Sequence, residues 1–225
     1  MPNIRELSLR ELSLYILGLP KTIYFNFRYF PIRKAIRLPV LISHRVWLKT
    51  LSGKVILSEY KTGLIEIGFG DVGIFDQQRS RTIWQVSGVV EFKGKAHIGH
   101  GSKISVSGKL TLGSDFYITA ESSIVAQKEI SIGENVLVSW DSLIMDTDFH
   151  KIFDSNGNQT NLPRPVTIGN NVWIGCRCLI LKGVEIPGGV VVAAASTVIK
   201  SVKTQNSIVA GNPADIIRDN ITWES

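Results

Sequence analysis

The chain has 225 residues, 44% hydrophobic and 20% charged, which is enough to bury a core and too apolar for an extended disordered region. Its net charge of +6 is uneven, with ten Lys/Arg against two Asp/Glu in residues 1–54 and fifteen against seventeen in residues 55–225. Its two cysteines, Cys176 and Cys178, are too close along one predicted strand to bridge, which excludes a disulfide scaffold and predicts a reduced, cytoplasmic setting.

Residues 4–19 are rich in helix formers, repeat RELSL in tandem and predict a helix ending near Gly18 and Pro20. The apolar run Leu12–Leu19 is too short to span a bilayer, so neither a signal peptide nor a transmembrane helix is expected. Residues 21–49 mix Tyr24, Phe25, Phe27, Tyr29 and Phe30 with Arg28, Arg33, Lys34 and Arg37. Two readings stay open for this arm: packing against a first coil, or peripheral contact with the inner face of a membrane. The expected organisation is a helix and basic aromatic arm over 1–53, a solenoid over 54–218 and a tail over 219–225. In the first, degenerate coils, Val55, Leu57, Ile65, Ile67, Val72 and Ile74 read as short strands.

From residue 98 a six-residue period takes over. Aliphatics recur at Ile98 and Ile104, then at Leu112, Ile118 and Ile124, then at Ile132, Val138 and Ile144, with two-residue steps between the groups; the register resumes from Ile168 to Val198. Four positions after these aliphatics, eleven of fourteen hexads carry a small residue or Val, among them Ser102, Ser122, Ser142, Cys178 and Ser196. One aliphatic and one small inward residue per hexad suit a three-sided all-β solenoid in which three hexads close a turn. An antiparallel sandwich would instead show a period of two.

The register breaks over about 149–165, where a polar loop rich in Asn and Gly projects and returns at Pro163 and Pro165. Loops that interrupt a regular scaffold are favoured places for function, and His150 opens this one. A histidine beside carboxylates is a side chain suited to moving a proton near neutral pH. His150 is the candidate base; Asp146 and Asp148 flank it, one to hold the imidazole and the other to bind a substrate, unless both merely cap the coil's exit. Trp140 offers a flat apolar face to a ligand or is simply a corner residue. The register turns Cys178 into the core and Cys176 outward.

The segments IGENVLVSWDSLIMDTDFH, PVTIGNNVWIGCRCLILKGVEI and IVAGNPADIIR resemble bacterial hexapeptide-repeat O-acetyltransferases of sugars, capsular polysaccharide and lipopolysaccharide. The resemblance covers a little over half of the chain and implies a left-handed parallel β-helix, acetyl-CoA as co-substrate, a saccharide acceptor and a homotrimer with active sites between subunits. Acyl transfer from a thioester to a hydroxyl needs a base for the hydroxyl proton and a donor for the developing oxyanion; the resemblance matches His150 to the family's catalytic histidine and the Cys176 main chain to the oxyanion donor, and implies sugar hydroxyls and a sugar ring as what an aspartate and Trp140 would bind. It further implies a CoA groove lined by Trp173, Gly175, Cys176, Ala194 and Ile199, with Lys200 and Arg218 toward the nucleotide phosphates. Ala193 and Ile199 depart from the family's usual Gly and Thr. No metal and no nucleic-acid partner are expected. The alternatives are N-acetylation of a nucleotide-linked amino sugar, a zinc-dependent hydratase using three histidines, and a noncatalytic glycan-binding scaffold.

Overall fold

A computed structural model describes residues 9–77 and 79–224; the start of the expected helix, residues 4–8, lies outside them. Short strands stack into three sheets of nine, seven and six strands, and the chain visits the three in turn. Every pairing between the strands of these sheets is parallel until the chain reverses at Ala214–Arg218, which runs antiparallel to Ile208–Gly211. Three parallel sheets of repeated short strands, preceded by a helix, are the arrangement typical of a left-handed β-helix.

The hexad pattern becomes the core directly. Ile98, Ile118 and Val138 are Cα partners in the first sheet, and Ile104, Ile124 and Ile144 in the second, all fully or almost fully buried. Stacked aliphatics of this kind each contribute about 1.5–3 kcal/mol of apolar burial that one isolated turn could not obtain. The two-residue steps are extra inward positions in the third sheet: Leu110 with Leu112 and Ile130 with Ile132, all buried.

The small residues have a second task at the edge between the first and second sheets. Ser122 Oγ donates to the Ser139 carbonyl (2.8 Å) and accepts from the Ser142 amide (3.0 Å), while Ser142 Oγ donates to the Gly175 carbonyl (2.9 Å) and accepts from the Cys178 amide (3.1 Å). Each hydroxyl therefore ties one corner to the next and satisfies buried polar groups. Cys178 occupies the same column, fully buried, as its register predicts.

Gly175 is required by contact rather than by φ, since a Cβ there would lie 2.7 Å from the Ala194 amide nitrogen of the next coil.

Three expectations for the region ahead of the regular repeat are corrected. Helix α1 runs Leu9–Tyr29, through Gly18 and Pro20 rather than ending there. Gly18 is a notch for close approach, because a Cβ would collide with the Ile42 carbonyl, and Pro20 falls on the exposed side. The coil also begins before residue 54: Val40–Ile42 pairs with Ile65–Ile67, and Trp47–Leu51 pairs with Ile83–Val86. Val72 and Ile74 lie in the connection between strands, Ile74 largely exposed.

The helix covers the sheet edge that this first strand would leave open. Asn26 donates to the Val40 carbonyl (2.7 Å) and accepts from the Val40 amide (3.2 Å), and Thr22 Oγ1 accepts from the Ile42 amide (2.8 Å). Phe25, fully buried, closes the end of the core edge-on to Trp84 at 5.4 Å. The short helix α2, Ile32–Ala35, leads into the first strand.

Candidate active site

The loop after Leu143–Met145 leaves the solenoid at the edge between the second and third sheets and re-enters at Val166–Ile168. Asp154 organises its tip by accepting from the Asn156 and Asn158 amides, both at 2.9 Å. Asn161 ties its base, donating to the His150 carbonyl (2.7 Å) and to Asp148 Oδ2 (2.9 Å) and accepting from the Ile152 amide (2.7 Å). Lys182 Nζ, from the next coil, binds the same Asp148 oxygen and donates to the Asn161 carbonyl (3.1 Å). His150 is exposed at the start of this framed loop.

The two aspartates have different surroundings. Asp146 is fully buried, and its oxygens accept from the amides of Gln127 (2.8 Å), Lys128 (2.8 Å) and Glu129 (2.7 Å). No surface is left through which it can meet an acceptor, so the acceptor-binding reading of Asp146 gives way to a structural one: it nails the coil just before the loop departs. Asp148 does not hold the imidazole directly either; its carboxylate faces Lys182 and Asn161, which hold its pKa below the ordinary carboxylate value. It reaches His150 through the main chain, where its carbonyl accepts from the His150 amide (2.7 Å), and through Asn161.

Phe149, just before the histidine, lay outside the sequence reading. It sits at φ +61° with 64% of its surface exposed, a left-handed conformation that costs a bulky residue on the order of 1 kcal/mol. Thr147 Oγ1 holds it there, accepting from the Phe149 amide (3.0 Å) and donating to Gln127 Oε1. The ring borders a shallow, solvent-open groove of about 120 Å³ that runs down the second sheet past Gln127, Ser107, Ser105, Ser87 and Gln85. Its lining offers hydroxyls and amides and no charged side chain.

The remaining predicted residues fall on both sides of the second sheet. Trp140, Gly175, Cys176 and Ala194 lie at its edge with the first sheet, so Trp140 is not beside His150 within one chain. Asp148, His150, Ile199 and Lys200 lie at the opposite edge. The four residues 178–181 alone set these edges on the order of 13 Å apart at about 3.3 Å per residue. Between them the sheet's outward residues Leu143, Met145, Leu179 and Leu181 form an apolar strip, in which Leu179 is 38% exposed. Trp173 faces out of the first sheet, donates to Ser139 Oγ (3.1 Å) and tilts against Trp223 of the tail at 6.0 Å. Arg218 stands on the final antiparallel strand, away from Lys200. Cys176 is half-buried and its carbonyl accepts from the Ala195 amide (2.8 Å).

The other histidines have local partners or burial instead. His97 stacks on Tyr117 at 4.5 Å and pairs through Nδ1 with Glu66 Oε2 (3.1 Å), which also accepts from Tyr15 through its other oxygen (2.9 Å). Burial pushes the Glu66 carboxyl up, but these hydrogen bonds outweigh it and leave the pKa below its ordinary value. His100 is buried edge-on to Phe75, and that burial lowers its pKa. His44 accepts from Arg45 Nε (3.2 Å).

No family model matches the chain. It is 34% identical over 117 residues to galactoside O-acetyltransferase of Escherichia coli K12, covering 51% of this chain and 56% of that protein. It is 30% identical over 202 residues to a 24.8 kDa protein of the cps region of Klebsiella pneumoniae, covering 88% of this chain and 87% of the other. In fold it resembles the crystal structure of the polySia-specific acetyltransferase NeuO, with a TM-score of 0.53 at 24% identity over 82% of this chain and 80% of that one. The chain spans about half the length of the sugar and polysaccharide acetyltransferases it matches. Its stacked hexads, the nearly full-length match in the cps region and the repeated matches to sugar acetyltransferases identify the chain as a member of the hexapeptide-repeat acetyltransferase family.

Proposed function

We propose that the protein is an acetyl-CoA-dependent O-acetyltransferase of a saccharide, working as a homotrimer in the assembly of a surface polysaccharide or lipopolysaccharide. The observation that carries this reading is the long loop that projects between Met145 and Val166, which presents an exposed His150 on a base fixed by Asp148, Asn161 and Lys182. The uncharged groove beside Phe149 supports a neutral sugar as acceptor, with the ring as a stacking surface and the hydroxyls and amides as hydrogen-bond partners.

In the mechanism, the His150 imidazole takes the proton of the acceptor hydroxyl as its oxygen attacks the thioester carbonyl. A main-chain N–H at Cys176 of the neighbouring copy meets the developing oxyanion. The carbon–sulfur bond then breaks, the acetyl group stays on the sugar oxygen, and the imidazolium returns its proton to the departing thiolate. The width of the second sheet favours sites between copies, because His150 and Cys176 of one chain lie at opposite edges. The apolar strip between those edges suits both a neighbouring chain and a pantetheine arm. Lys200 and Arg218 stand apart in one chain, so they serve the CoA phosphates as separate contacts, on different phosphate groups or from different copies.

The test is thiol release from acetyl-CoA against a panel of saccharides, comparing the natural chain with His150→Ala. Loss of general-base catalysis is expected to lower turnover by roughly a hundredfold to ten-thousandfold. Equal turnover by the two proteins removes His150 from the mechanism.

A further inference from the structure

Helix α1 is amphipathic in an unusual sense. The face it turns to the coil carries its hydrogen-bonding seam, Thr22 and Asn26, beside Gly18 and Phe25. The opposite face carries Leu12, Ile16, Leu19, Ile23 and Phe27, at spacings of three and four residues, with Leu17 and Tyr24 beside them. All seven are exposed, from 38% for Leu12 to 63% for Ile16, and Ile32 (70%) and Ile36 (63%) continue the display around α2. An uninterrupted apolar face of this size on a helix that already covers the end of its own core is not packing surface for that core.

Charge selects the occupant. From residue 12 to residue 58 the chain has no Asp or Glu and eight Lys or Arg, and Arg28, Arg33 and Arg37 are exposed among the apolar residues of the two helices. No described helix is long and apolar enough to cross a membrane. An apolar face flanked by cations, on a helix too polar to insert across the bilayer, suits the boundary between headgroups and acyl chains, where the side chains enter and the arginines meet lipid phosphates.

We infer that this face docks the protein on an anionic membrane surface, with α1 lying in the interfacial plane. The inference stands on the helix alone and does not depend on the acetyltransferase reading.

The test is co-sedimentation of the full chain with vesicles of phosphatidylcholine alone or mixed with phosphatidylglycerol, with the oligomeric state followed by light scattering. The chain is expected to bind the mixed vesicles, bind neutral ones weakly, and release most of the protein at about 1 M salt, where charges are screened beyond about 3 Å. Ile16→Glu with Phe27→Glu should lower binding at least tenfold while leaving the oligomer intact. Arg28→Gln, Arg33→Gln and Arg37→Gln should each weaken binding to anionic vesicles about fivefold. Absence of binding to anionic vesicles at low salt overturns the inference. Dissociation of the oligomer by the glutamate pair also overturns it, by assigning the face to a second copy of the chain.

Discussion

Replacing Asp146 by Asn keeps the side chain's shape and tests whether this residue serves the coil or the acceptor. Its two oxygens now receive three amide hydrogens, from Gln127, Lys128 and Glu129, at 2.7–2.8 Å with no exposure to water. In the better amide orientation the Asn oxygen keeps Lys128 and Glu129, while its NH₂ group faces the Gln127 amide. That donor loses its partner at about 1–3 kcal/mol, and the two retained bonds, now neutral, each weaken by about 0.5–1.5 kcal/mol. A loss of about 4 kcal/mol lowers the melting midpoint of a chain this size by about 10 °C. Scanning calorimetry gives the midpoint, and acetyl transfer measured well below it gives kcat per folded enzyme, which should stay within about threefold of the natural value because the side chain reaches no reactant. An unchanged midpoint with a raised KM for the acceptor would refute the structural assignment and return Asp146 to the sugar site.

Phe149→Ala should raise the acceptor KM by roughly fivefold to tenfold through loss of one aromatic stacking surface, with KM for acetyl-CoA unchanged in steady-state kinetics. Cys176→Ala should keep activity within about threefold, since the role assigned to that position belongs to its main chain; a drop beyond a hundredfold, roughly the loss of a catalytic group, would make the thiol a participant. Lys182→Met should return the Asp148 carboxyl, observed by carbon NMR, toward its ordinary pKa. Because that pKa is lowered in the folded chain, the loop anchor is present above the ordinary carboxylate value and lost as pH falls through the depressed one; in the variant, faster amide exchange over 149–161 should set in at higher pH. Finally, His150→Ala and Ala194→Trp, each inactive alone, should recover about a quarter of the natural activity in randomly mixed trimers if each site draws on two neighbouring copies. Mixed trimers without recovery would place both groups in one chain's site.

The part of the fold that repeats was legible because its cause repeats. An aliphatic every six residues fixes the three-sided coil, and the column Ser122, Ser142 and Cys178 follows from the same count, because the corner between the first and second sheets takes a small side chain there. The N-terminal region obeyed no such count. Gly18 and Pro20 look like stop signals by local propensity, yet the helix continues because tertiary contacts of Thr22, Phe25 and Asn26 with the first strands outweigh the local cost of proline. The same contacts recruit residues 40–51 into the sheets, although their sequence shows no clean hexad.

At the site, His150 was legible as the residue at the break in the period, but the groups that hold it were not. Asp148 and Lys182 are 34 positions apart and meet only because the intervening loop leaves and re-enters at one edge of one coil. Gln127 and Thr147 are 20 apart, one full turn, so the bond that sets Phe149 is a contact between stacked corners. Nothing in a linear motif distinguishes these pairs from other polar residues; the solenoid's turn length does, once counted. The two-residue steps give turns of 20 residues ahead of the loop, as between Ile118 and Val138, and turns of 18 after it, as between Ile174 and Val192. Closeness in sequence to the histidine is thus not enough to identify its support: Asp148 belongs to it, Asp146 does not, and Lys182 comes from another turn.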